Sequence, residues 1–369
     1  MTHRRFIARL LAWYGENARD LPWRRTRDPY GVWVSEIMLQ QTQVKTVLPY
    51  WERWMRELPT IDALAKAPPG KIHKLWEGLG YYHRVRNLQR AAQIIRREHR
   101  GRLPSNIEEL LDLPGIGRYT AGAICSIAFN QAQPILDGNV IRVLTRVFGI
   151  GDDPRESGTQ AVLWQLSGEL VQQAVRRYQA GEEKVPGTSA GPTRAASTFN
   201  QALMEIGALV CLPRDPHCEA CPLAKDCVAL RDGRIAELPH KTPRPPITPR
   251  RFIAFVLQQK DRFLVRQRPA GEVNAHLWEF PNLEVKHGDD DVKKAAQCAL
   301  GCQPANLTAL GSIKHSITRY RITMDVFHGS KPLGRGTPAQ GGRWLKRSAL
   351  ARLPFASAHK KILERLPAD

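Results

Sequence analysis

The stretch RIAELPHKTPRPPITPR, residues 234–250, constrains the fold most, because the chain has a different texture on either side of it. Proline fixes its own φ and has no amide hydrogen to give, so this basic, proline-rich run is read as a linker. Before it, apolar residues recur at helical spacing. Trp51, Trp54, Met55 and Leu58 share a face in YWERWMREL, as do Ile72, Leu75 and Trp76 in KIHKLWEGLG. In RVRNLQRAAQIIRREHR, Leu88, Ala91, Ala92 and Ile95 turn inward and the arginines outward. After the linker, RFIAFVLQQKDRFLVRQRP has two short β-branched and aromatic runs joined by a polar turn, which predicts a hairpin. LWEFPNLEV, HSITRYRITMDVF and GGRWLKRSAL read as a strand, a strand and a strand running into a helix. The expectation is an all-α part followed by an α+β part, and 369 residues suffice for two or three domains. Residues 179–196, QAGEEKVPGTSAGPTRAA, are aperiodic and read as a flexible insertion.

Charge narrows the partner. Lys and Arg number 55 against 35 Asp and Glu, a formal net charge of +20. Such an excess favours a polyanion, since bound lysines and arginines release condensed counterions. No apolar run reaches the roughly 20 residues that span a bilayer. The start, MTHRRFIARLLAWYG, lacks the long apolar core of a secretory signal. A cytoplasmic, nucleoid-associated monomer with no membrane partner is expected.

Three motifs carry chemistry. In LPGIGRYTAGAI (113–124), Gly115 and Gly117 precede a helix. A helix start has unpaired amides and partial positive charge, and glycines let a phosphate come close to them. With NIEELLDL before it, N-capped by Ser105, the segment predicts a helix–hairpin–helix that grips a DNA strand without reading its bases. Next, Cys211, Cys218, Cys221 and Cys227 fall within seventeen residues. In a cytosolic chain this density predicts a metal site; four thiolates suit zinc or an iron–sulfur cube, although zinc sites more often use two close C-x2-C pairs and only one is present here. Cys125, Cys298 and Cys302 are read as structural, the last two on one helix. Finally, Glu36 sits among Val34, Ile37, Met38 and Leu39 at an apolar helix start, and Asp137 precedes a helix that it could simply cap. A desolvated carboxyl holds its proton and can donate it, while a second, ionised one can stabilise a sugar cation.

Together LPWR (21–24), SEIMLQQTQV (35–44), GLGYY (78–82), LPGIGRYTAGAI, ILDGNV (135–140) and the four cysteines resemble the MutY adenine DNA glycosylases of the helix–hairpin–helix superfamily, over nearly the whole chain. The resemblance implies a helical catalytic region over 1–233. Within it a six-helix barrel would span about 25–132, and 1–24 with 133–233 would form an iron–sulfur domain. It further implies the 234–250 linker, a MutT-like domain over 251–369, and a 4Fe–4S cluster on the four cysteines. No acidic helix of the REx2E type appears, so the C-terminal domain is expected to recognise and not to hydrolyse pyrophosphates.

The implied reaction is hydrolysis of the N-glycosidic bond of adenine mispaired with 8-oxoguanine or guanine in double-stranded DNA, after the adenine is flipped out. By resemblance, Glu36 protonates the adenine ring, Asp137 stabilises the cationic sugar, Asn139 orients them and Tyr119 lies beside the sugar. Endonuclease III-like relatives carry a lysine at the Tyr119 position; a phenol cannot form the imine that leads to strand cleavage. Gln41 and Tyr81 match residues that wedge into the base stack, and Trp23 and Arg24 match pocket residues. The family's Phe-Ser-His loop is replaced here by Ile317, Thr318 and Arg319. Two other readings stay open: a DNA-binding, redox-sensing protein without catalysis, and a bifunctional glycosylase/lyase.

Overall fold

The computed structural model describes residues 3–26, 28–181, 194–240, 242, 246–286, 291–317, 319–330 and 341–366. It divides into two compact units, Met1–Lys66 with Arg86–Pro243, and Ala67–Val85 with Arg244–Asp369.

The first unit is helical. The predicted inward faces are buried except at Met55, which is half-buried: Trp51, Trp54, Leu58, Leu88, Ala91, Ala92 and Ile95 all pack inside. One core joins distant parts of the sequence. Phe6 and Leu10 of the His3–Asn17 helix meet Val140 and Val143 of the Gly138–Phe148 helix and Phe199, Leu203 and Ile206 of the Ala195–Leu209 helix. The first two helices are amphipathic and lay their apolar stripes on the third, which is buried nearly all round. The hairpin is present as helix Ile107–Leu111, a turn, and helix Arg118–Ile127. Its cap differs from expectation. Asn106, not Ser105, accepts from the Glu108 amide, because the helix starts one residue later. The carbonyl of Ser105 accepts instead from the Gln131 side chain at 3.0 Å. Of the 179–196 insertion, Gln179 ends one helix and Ala195 begins the next, and residues 182–193 lie outside the described residues.

The second unit is built on a seven-stranded sheet: β1 Thr248–Gln259, β2 Arg262–Gln267, β3 Trp278–Glu279, β4 Asn282–Val285, β5 Ala305–Ile317, β6 Tyr320–Ser330 and β7 Gly342–Lys346. The path runs β3-β2-β1-β6-β5, with β4 beside β1 and β7 beside β2. The predicted hairpin is β1–β2, paired antiparallel at Gln258↔Phe263. β1 lies parallel to β6 and has both faces covered. Ala254 and Val256 face the Ser357–Arg365 helix side, while Ile253, Phe255 and Leu257 face the Val292–Leu300 helix. Cover on both faces explains why this strand reads as a continuous apolar run. Four expectations are corrected here. LWEFPNLEV breaks at Phe280-Pro281 into β3 and β4, and HSITRYRITMDVF folds back as β5 and β6. β1 begins at Thr248, so the linker is shorter than 234–250. The Val292–Leu300 helix stops at Gly301, whose φ is 72°, so Cys302 lies beyond it, and Cys298 is exposed rather than packed.

Candidate active site

The Pro29–Leu39 helix carries Glu36 inward. Asp28 caps it by accepting from the amides of Tyr30 and Gly31, and Pro29 follows, where its missing N–H costs nothing. The indole N–H of Trp51 donates to the Gly31 carbonyl at 2.9 Å, and that of Trp54 to the Tyr30 hydroxyl at 3.0 Å. Every residue from Tyr30 to Met38 is buried. Glu36 therefore lies in the interior, in the second half of the helix and not at its start, with 5% of its surface exposed.

Packing of this helix against Arg118–Ile127 brings Tyr119 to Glu36, and the Tyr119 hydroxyl donates to Glu36 Oε2 at 2.7 Å. Burial pushes the Glu36 carboxyl up to about 7. The Tyr119 hydrogen bond opposes that rise, the Asp137 charge adds to it, and the Arg24 charge opposes it. Burial, with the charges of Glu36 and Asp137, holds the Tyr119 phenol well above its ordinary range.

Asp137 caps the Gly138–Phe148 helix: Oδ1 accepts from the Val140 amide at 2.7 Å, and Oδ2 from Asn139 Nδ2 at 3.0 Å. Burial raises its pKa, and these hydrogen bonds with the Arg142 charge work against the rise. Arg142 in turn donates to Asn139 Oδ1 at 2.8 Å, to the Gly207 carbonyl at 2.7 Å and to the Cys211 carbonyl at 2.6 Å. One connected set of hydrogen bonds thus runs from Asp137 to the start of the cysteine segment.

Cys211, Cys218, Cys221 and Cys227 line one cavity, closed on its inner side by Val143, Val147, Ile206 and Leu223. Arg146, buried in its wall, donates to the Leu212 carbonyl at 2.7 Å and stands 3.5 Å from Cys211 Sγ. Among the described residues, no three His, Cys, Asp or Glu side chains are arranged to hold a single metal ion. A lone zinc ion draws its sulfurs to about 2.3 Å from one centre. Four thiols spread around a cavity lined by apolar side chains with Arg146 and His217 fit a larger body, such as an iron–sulfur cube.

The remaining predicted residues divide. Arg24 is near enough to act on Glu36 electrostatically, yet its guanidinium is committed to Glu205 at 2.8 and 2.9 Å. Trp23 is buried edge-on against Trp51, as a packing residue would be. Gln41 is exposed just past the Glu36 helix with a left-handed φ of 57°. Gly115 and Gly117 are exposed at the hairpin. Gly115 has a φ of 82°, and a Cβ there would lie 2.7 Å from Asn87 Cβ, so only glycine fits this turn. Among the described residues no side chain caps the Arg118–Ile127 helix. Tyr81 and Arg319 belong to the second unit, both exposed, and Thr318 lies outside the described residues.

Sequence reasoning missed Glu205 and Arg142. Glu205, 1% exposed, receives both Arg19 and Arg24; burial would raise its pKa, but those hydrogen bonds hold it at about 2. The signal was available, since Glu205 is the lone charge in STFNQALMEIGALVC, as Glu36 is in its own segment. Arg142 and Arg146, four apart in the otherwise uncharged GNVIRVLTRVF, gave a similar one.

Residues 34–169 match the model of the HhH-GPD superfamily base excision DNA repair proteins, and residues 253–365 match a NUDIX domain. The chain is 36% identical to the adenine DNA glycosylase of Rattus norvegicus over 97% of its own length and 77% of that protein. It is 36% identical to that of Homo sapiens over 97% and 73%. A Buchnera aphidicola adenine DNA glycosylase shares 36% over 76% of each chain. Among solved structures, a thermostable thymine-DNA glycosylase is similar at a TM-score of 0.53 and 29% identity, covering 62% of this chain and 97% of that one.

Proposed function

The chain belongs to the adenine DNA glycosylases of the HhH-GPD superfamily, and from that premise we propose how its own residues release adenine from duplex DNA. The substrate is adenine opposite 8-oxoguanine or guanine, turned out of the stack so that its glycosidic bond can be reached. Glu36 is the general acid. A carboxyl with a pKa of about 7 is protonated in a useful fraction of molecules at neutral pH and still gives its proton up readily. Protonation of the adenine ring lets the C1′–N9 bond break with its electron pair passing to a neutral leaving base. Each carboxyl feels one guanidinium, but Asp137 accepts from several donors where Glu36 accepts from one phenol, so Asp137 is the carboxylate kept ionised to face the cationic sugar. Water then closes on C1′ and loses a proton, which restores the acid form of Glu36.

Asn139 and Arg142 orient Asp137 through the hydrogen bonds given above. Tyr119 fixes the Glu36 carboxyl and presents no amine, which supports base removal without a Schiff base. Gly115, Gly117 and the uncapped amides after them serve the phosphate backbone. Gln41, Tyr81 and Arg319 are the contacts to the stack and to the opposite base. The 4Fe–4S cluster is typical of this family, and Cys211, Cys218, Cys221 and Cys227 would hold it. When bound, its four iron–thiolate bonds tie residues 211–227 into one loop.

The observation that carries this reading is the 2.7 Å bond between Tyr119 and a buried Glu36 whose proton affinity also responds to Asp137. The test is a single-turnover assay on duplexes with adenine opposite 8-oxoguanine, guanine and thymine, with alkali to reveal abasic sites. Glu36→Gln should slow release by roughly 100- to 10,000-fold and leave duplex affinity nearly unchanged. Release that survives the substitution would remove Glu36 from the role.

A further inference from the structure

Glu77 plays no part in the chemistry above, yet it is only 7% exposed and fully engaged. It follows the Pro69–Trp76 helix, and its carboxylate is shared among three donors of the second unit. Oε1 accepts from the Phe355 amide at 2.9 Å, Oε2 from Lys74 Nζ at 2.8 Å, and Lys360 Nζ stands 3.4 Å away. Lys74 also donates to the Leu353 carbonyl at 3.0 Å. The segment so gripped belongs to the core of the β unit. The Trp278 amide donates to the Pro354 carbonyl at 2.8 Å, the Ala356 amide donates to the Trp278 carbonyl, and the Phe355 ring stacks on Phe280.

Directly after Glu77 comes the loop that carries Tyr81. Gly78, Gly80 and Tyr81 have φ values of 109°, 72° and 47°. The left-handed region costs a tyrosine strain, so neighbours must hold it there. The Trp76 indole donates to the Gly80 carbonyl at 3.0 Å, and Arg84 donates to the carbonyls of Leu79 and Gly80. The same guanidinium lies over the rings of Trp76 and Tyr81. Tyr81 is thereby presented to solvent, 41% exposed.

We propose that Glu77 is a positioning residue that fastens the Tyr81 loop to the core of the β unit, so that Tyr81 and Arg319 meet DNA as parts of one body. This rests on reading Tyr81 as the stack wedge. Recognition of the opposite base and insertion of the wedge are then one movement, and loosening Glu77 uncouples them.

The test uses the full-length, cluster-loaded protein and the variants Glu77→Ala, Glu77→Gln, Tyr81→Leu and the double Glu77→Ala/Tyr81→Leu. Glu77→Ala should speed hydrogen exchange at the Phe355 amide and across residues 78–84 by roughly tenfold or more. It should slow single-turnover release by roughly 10- to 100-fold, as misplacement does. The double variant should be no slower than the slower single one, since both act through one side chain. Glu77→Gln keeps an oxygen for Phe355 and should recover part of the rate. Wild-type exchange and rate in Glu77→Ala, or losses that multiply in the double variant, overturn the proposal. A Tyr81→Leu protein at the wild-type rate overturns the wedge reading and the DNA role built on it, and the exchange data then decide separately whether the fastening exists. Should Glu77→Ala not fold, Lys360→Ala, which weakens the same grip from the solvent side, takes its place in every comparison.

Discussion

Glu36 and Tyr119 set each other's proton affinity, and this has two measurable consequences. In the proposed mechanism release needs the Glu36 proton, so the rate should fall about tenfold per pH unit above about 7. The Tyr119 hydroxyl favours the ionised form of Glu36, so Tyr119→Phe should move that alkaline limb to higher pH. A pH–rate profile of both proteins checks it, and a limb moving down in pH would refute the assignment. The same burial costs stability. The folded pKa lies above the ordinary 4.5, so between about 4.5 and 7 the native state holds a proton that the unfolded chain has lost. Stability falls as pH rises through that window, by about 3 kcal/mol in all, and the loss persists above 7. Glu36 stood out in the sequence because a lone carboxylate among apolar neighbours is an anomaly, whereas Asp137 read equally well as a helix cap, which it also is, and only the family resemblance singled it out. Arg24 was not readable in the same way. Its partner Glu205 is 181 residues away, and no local pattern foretells which buried acid a guanidinium will meet.

Helices such as Val44–Glu57 and His83–Glu98 were readable from periodicity because each buries one stripe, whereas the Pro29–Leu39 helix is buried all round; the errors lay at helix ends, where Asn106 replaced Ser105 as the cap and Glu36 proved to lie well past its helix's start. Strands fared differently. β3 has two residues and β5–β6 turn within two, too short for an alternating pattern to show where one ends. Contacts between helices were invisible in the sequence, and one of them is critical. A Cβ at Gly207 would lie 2.7 Å from Asn139 Cβ and 3.1 Å from the Asn139 carbonyl oxygen. Gly207→Ala must push the Gly138–Phe148 and Ala195–Leu209 helices apart at the residue that aligns Asp137. The expected result is a stability loss of about 1–3 kcal/mol and a drop in release of more than about tenfold. Chemical denaturation and single-turnover rates on one preparation check both; unchanged release would mean that Asn139 tolerates the shift.

The proline-rich run marked the change from helical to α+β architecture and the four cysteines marked a metal site to be tested, because proline and ligand density are signals that need no tertiary context. Purified protein should be yellow-brown with about four iron atoms per chain. A colourless protein with one zinc per chain would overturn the cluster. In the β unit, His359 is 3% exposed and burial holds its imidazole down at about 4, with Nδ1 accepting from the Phe280 amide. Nearby Glu279, which raises that value, is itself paired with Arg266 and Arg268. The unfolded chain takes up the proton first, near 6.5, so stability is full above that pH and is lost as pH falls toward 4, by about 3 kcal/mol. Strand-amide exchange should show this acid loss, and His359→Gln should reduce it. None of this foretold that the second unit takes Ala67–Val85 from the middle of the helical sequence. That borrowing has a cost during synthesis. The ribosome delivers the borrowed piece about 160 residues before the partner that completes it, a wait of roughly ten to thirty seconds at translation rates. Over that interval Lys74 and Glu77 wait for the Leu353 carbonyl, the Phe355 amide and Lys360, so the grip that ties this piece to the β unit closes only when the last twenty residues have been made.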